Sequence, residues 1–184
     1  MFYSVISFLS KIVGKIGVSS NRKLTNDERA FFNSNNLTGC LVLTRRKWQF
    51  SNFFIKGHYK HSMVFSSSNT VVDSTVSLGT AARHVALLAS HSSYEIYRPT
   101  FDYEPIEFTQ IAYEIADAKI DYDHEHKSGN RLLDCIETTI KIYNRVLVNP
   151  IDLDFPIHPI EILDTNLFTS IYKFEEERPN NVYD

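Results

Sequence analysis

A chain of 184 residues that is 43% hydrophobic and 13% aromatic has the length and apolar content for one domain with a substantial core. Its 19 basic and 22 acidic residues leave a formal charge of -3, which excludes a general electrostatic attraction to nucleic acid. Two cysteines, Cys40 and Cys135, exclude a disulfide framework and an all-cysteine zinc site, and point to reduced thiols.

The first element predicted is an amphipathic helix over residues 2–16. Phe2, Val5, Ile6, Leu9, Ile12, Val13 and Ile16 follow helical spacing, with Ser4, Ser7, Lys11 and Lys15 opposite. No basic residue precedes its apolar part and two lysines interrupt it, so it reads as neither a secretory signal nor a span. It either packs on the domain or, with its cationic polar face, lies on a membrane surface. The expected location is therefore cytoplasmic, with membrane association or virion delivery as the variants.

Thr25 and Glu28 have the spacing of a capping box and open a short helix. Asn33 to Asn36 ends it, closing an N-terminal extension over residues 1–36. A domain over residues 37–175 follows, and residues 176–184 form a charged tail. Within the domain, Cys40 to Thr44 reads as a buried strand. Arg45, Arg46 and Lys47 beside Trp48 read as a solvated loop with one aromatic anchor.

His61 to Ser67 and Thr70 to Thr75 read as a hairpin around Ser68 and Asn69. A helix is predicted from Thr80 to about Ser90, a strand from Tyr94 to Arg98, and a helix from Glu107 to Ala118. Residues 121–130 read as a polar loop, residues 131–145 as another helix, and the chain to Phe174 as a short helix or strand. Clustered strands and helices without regular alternation indicate an α+β fold.

The last long helix carries a thiol near its N-terminus, where the helix dipole favours thiolate, the nucleophilic form. Leu132, Leu133, Ile136, Ile140 and Tyr143 define its apolar stripe. Cys135 lies roughly 110° from the centre of that stripe, at the edge of the expected core. In the hairpin, His61 and Asp73 fall near the outer ends of paired strands, where a carboxylate would fix the imidazole tautomer. His58, three residues before His61, is the alternative base. Asp121, Asp123, His124, Glu125 and His126 lack the spacing of a zinc or calcium site, so no metal or other cofactor is expected.

Gly39 to Thr44, Ser51 to Gly57, His61 to Phe65, Val71 to Thr75 and Asp134 to Glu137 together resemble the permuted NlpC-type papain-like proteins. That group includes lecithin retinol acyltransferase-like enzymes. The resemblance covers roughly residues 38–165. It implies a circularly permuted papain-like domain: an antiparallel sheet with a cysteine-bearing helix, here behind a helical extension. It further implies Cys135 as nucleophile, His61 as base, Asp73 as its orienting partner and Glu137 in support. Cys40 and Ile136 depart from the family's acidic residue and serine at their positions.

The expected activity is cysteine-dependent hydrolysis of a peptide amide through a thioester. One alternative is acyl transfer or phospholipase action on a lipid ester at membranes. The other is a catalytically silent interaction module of viral or bacterial type. The sequence is silent on oligomeric state.

Overall fold

The computed structural model describes residues 22–46, 55, 57–123, 133–153 and 157–176. The helix expected over residues 2–16, Lys47 and Trp48, and His124 to His126 lie outside these residues. Six antiparallel strands form one sheet: β1 (Leu41–Arg45), β2 (His61–Ser67), β3 (Thr70–Thr75), β4 (Gly79–His84), β5 (Ser93–Pro99) and β6 (Phe168–Glu175). Their order is β4-β3-β2-β1-β5-β6. The helices are α1 (Asn26–Ser34), α2 (Pro105–Asp117) and α3 (Cys135–Asn144), with 3-10 turns at Val85–Ser90 and Pro159–Thr165. The protein is α+β. Among the described residues no helix is long and apolar enough to cross a membrane.

Both sheet faces are covered, which explains the apolar runs in β1 and β2. Leu41, Leu43, Val64, Val72 and Tyr97 pack with Phe108, Ile111 and Ala112 of α2 and Ile136, Ile142 and Tyr143 of α3. Val42, Met63, Phe65, Val71, Tyr94 and Ile96 point the other way, against Phe32 of α1 and Val85 and Leu88 of the first 3-10 turn. α1, within the stretch expected as an N-terminal extension, packs against this face through Phe32. Both bonds of its Thr25–Glu28 capping box are present.

The helix expected over residues 80–90 is instead β4 followed by the 3-10 turn. Ala81 and Ala82 favour a helix locally. Pairing of Thr75 with Gly79 through Thr70 with His84 gives β3 its second partner and overrides that preference. The final helix is shorter than residues 131–145. Leu133 and Asp134 precede it, and Asp134 caps it by accepting from the Glu137 N–H at 2.8 Å.

Candidate active site

His61 is the first residue of β2, and Asp73 lies within β3. Val64 pairs with Val72, which sets Asp73 opposite Met63 and one diagonal step from His61 on the same face. Their side chains meet, with His61 Nε2 2.6 Å from Asp73 Oδ2. Asp73 is wholly buried, and His61 keeps 20% of its side chain exposed. Because an ionised carboxylate only accepts, the Nε2 N–H is the donor in this pair.

Arg83 completes the group. Its guanidinium bonds the same Asp73 Oδ2. A helix over residues 80–90 gives no reason to expect it here; the strand Gly79–His84 does. In β4, Val71 pairs with Arg83 and Asp73 with Ala81, so Arg83 also lies one diagonal step from Asp73.

Cys135 is the first residue of α3 and only 5% exposed. The sequence periodicity placed it at the edge of the core; it is buried because both the sheet and the segment before α3 cover the first turn. Ser74 Oγ donates to the Leu133 carbonyl at 2.7 Å, and Thr139 Oγ1 lies 3.0 Å from Ser62 Oγ. Asp121 O accepts from Leu133 N at 3.1 Å, while Asp123 N donates to Leu133 O at 3.3 Å. Glu137 is buried and bonds the Asp134 N–H at 3.0 Å, so its supporting role is to close the cap. Burial, with Cys135, Asp134, Asp123 and Glu137 around it, pushes the Tyr122 phenol well above its usual range.

The sequence triad is therefore joined in two of its three members. Ser62 and Ser74, which hold the start of α3, are the chain neighbours of His61 and Asp73. Successive strand residues point to opposite faces. Cys135 thus sits over the same end of β2 as His61, but on the other face of the sheet. Among the described residues no hydrogen bond joins them.

Within the first turn of α3, the capping box takes the Glu137 N–H and the Asp134 carbonyl takes that of Thr138 at 3.0 Å. The amides of Cys135 and Ile136 precede the first intrahelical bond and remain as donors for an anion.

The other candidates are engaged elsewhere. His58 places Nε2 3.1 Å from Ser93 Oγ and Nδ1 3.2 Å from Arg45 Nη1; burial, then the Arg45 charge, lower its pKa. His84 accepts from the Ala86 N–H at 3.1 Å. Burial pushes the Cys40 thiol up to about 11. A cavity of about 460 Å3 lies between α1 and the first 3-10 turn, lined by Arg22, Lys23, Arg29, Phe32 and His84 among others. None of Cys135, His61 and Asp73 lines it. Comparisons of the chain with known protein families, curated proteins and solved structures return no match.

Proposed function

We propose that this protein is a cysteine-dependent hydrolase or acyltransferase with a permuted papain-like active site, using Cys135, His61 and Asp73. The observation that carries the reading is the 2.6 Å bond between His61 and the buried Asp73. It orients an imidazole that keeps 20% of its side chain exposed, at the same end of β2 as the buried Cys135 thiol but on the other face of the sheet. In the reaction, the Sγ thiolate attacks the substrate carbonyl and the amides of Cys135 and Ile136 hold the oxyanion. The His61 imidazolium then gives its Nδ1 proton to the leaving amine or alcohol, and a thioester remains. Water, or an acyl acceptor, attacks the thioester and returns the proton to His61.

For His61 to serve Cys135 it must come around the end of β2, since the pleat directs the two apart, and that movement parts it from Asp73. The same separation favours a second reading, an interaction module that keeps the fold without the chemistry.

The pH dependence of iodoacetamide labelling at Cys135, read site by site by mass spectrometry, separates them. The shape of the profile reports ionisation whatever the absolute accessibility. The enzyme reading expects labelling to persist well below the free-thiol value of about 8.5 and to fall at least about tenfold near pH 6.5 in His61→Ala. A profile centred near the free-thiol value and unchanged by the substitution would leave the interaction module.

A further inference from the structure

Three strands bring His61, Asp73 and Arg83 into one row on the face away from α3. Asp73 is the middle member, reached diagonally from β2 by the imidazole and from β4 by the guanidinium. Both bonds end on Oδ2, whereas Oδ1 is buried without a hydrogen-bond partner among the described residues. The carboxylate's orientation is therefore held by these two groups together. Arg83 is itself mostly covered, with 22% of its side chain exposed.

We propose that Arg83 is a positioning residue for His61, fixing the Asp73 carboxylate that orients the imidazole and offsetting that carboxylate's charge. Its catalytic use rests on the function proposed above; its effect on the imidazole does not.

The argument is one of charge balance. A carboxylate within hydrogen-bonding distance favours imidazolium, and a nearby guanidinium opposes it. A base must be free to accept a proton at the working pH. Arg46, following β1, donates through Nε to His91 Nε2 at 3.2 Å, so that nitrogen carries a lone pair. His91 Nδ1 lies 3.2 Å from the Leu87 carbonyl oxygen. Burial, followed by the charges of Arg46 and His61, holds the His91 pKa well below its ordinary value. His91 is thus a neutral neighbour, Arg46 a fixed cation, and Asp73 the carboxylate in contact with His61.

The test is an NMR titration of the His61 ring in the full chain, assigned by loss of its signal in His61→Gln. Arg83→Gln is expected to raise the His61 midpoint by roughly one pH unit, a tenfold gain in proton affinity. Arg83→Lys, which keeps the charge but loses the planar fork, should recover most of that shift. If Arg83→Gln does not fold, Arg83→Met retains an apolar stem over the sheet and is read the same way. A midpoint unmoved in a folded, uncharged variant overturns the inference, as does a Lys variant that behaves like Gln. Cys135 labelling in the same variants reads the proposed function separately. A shifted midpoint with an unshifted labelling profile keeps the Arg83 effect and removes its use in catalysis, whereas matched shifts support both.

Discussion

Replacing Glu28 by alanine is expected to cost about 3–5 kcal/mol of stability, because it strands a mostly buried arginine. Glu28 is wholly buried on α1, yet each of its carboxylate oxygens has partners. Arg22 grips it in a fork at 2.7 and 2.8 Å, and the Thr25 N–H donates to it at 2.6 Å. The Tyr94 hydroxyl donates to it from the start of β5. Arg22 also lies 3.9 Å above the Phe174 ring of β6. One carboxylate therefore ties α1, the segment before it and two strands together. Tyr94→Phe removes one bond from the group and leaves the ion pair, so its expected cost is nearer 1–2 kcal/mol.

The pH dependence has a definite sign. Burial works to raise the Glu28 carboxyl, but the bonds from Arg22, Tyr94 and Thr25 outweigh it and hold the group below its ordinary value of 4.5. A carboxyl lowered by folding contributes fully above its unfolded value and loses that contribution as pH falls through the folded one. Urea unfolding should therefore show a large gap between wild type and Glu28→Ala at pH 7 that narrows below about pH 4. A gap under 1 kcal/mol, or one constant across that range, would show that the network is not a major support of the fold.

Local chemistry made some of this structure readable in advance. The Thr25–Glu28 box required only a three-residue spacing, and both of its bonds formed. The His61–Asp73 contact needed more than the hairpin: the register shifts by one between Phe65 and Ser67, and without that irregularity Asp73 would share a face with Ser62 rather than His61. Asp134 and Glu137 repeat the capping spacing of Thr25 and Glu28, and that signal would have started α3 at Cys135. The remainder depends on contacts between distant segments. β4 forms because β3 supplies a partner, whatever the helix preference of Ala81 and Ala82. Whether His61 and Cys135 share a face depends on strand parity and on which side of the sheet α3 packs. A shift of one residue would reverse it, and helical periodicity within residues 131–145 carries no information about it.

Gly79→Ala is expected to cost about 3 kcal/mol or more and to disturb Cys135, although the two residues belong to different elements. Gly79 has a φ of +62°, a conformation that costs an L residue about 1–2 kcal/mol. A methyl group there would also stand 2.3 Å from the Ile120 carbonyl oxygen and 3.2 Å from the Asp121 Cα. Both obstacles are backbone, so no side-chain rotation relieves them. The same carbonyl accepts from the Thr80 N–H at 2.8 Å, and the Ile120 N–H donates to Thr80 Oγ1 at 2.9 Å. Residues 121–123 in turn bond both backbone groups of Leu133, whose carbonyl is further held by Ser74. Displacing Ile120 therefore pulls on the two residues that lead into α3. Gly79→Asn separates the causes, since Asn tolerates a positive φ while keeping the Cβ. If the steric clash outweighs the backbone strain, Asn is as damaging as Ala in thermal melts, and iodoacetamide reaches Cys135 faster in both variants. Recovery by Asn would assign the cost to backbone strain alone, and unchanged labelling in a destabilised Ala variant would show that the segment before α3 absorbs the displacement without passing it to the thiol.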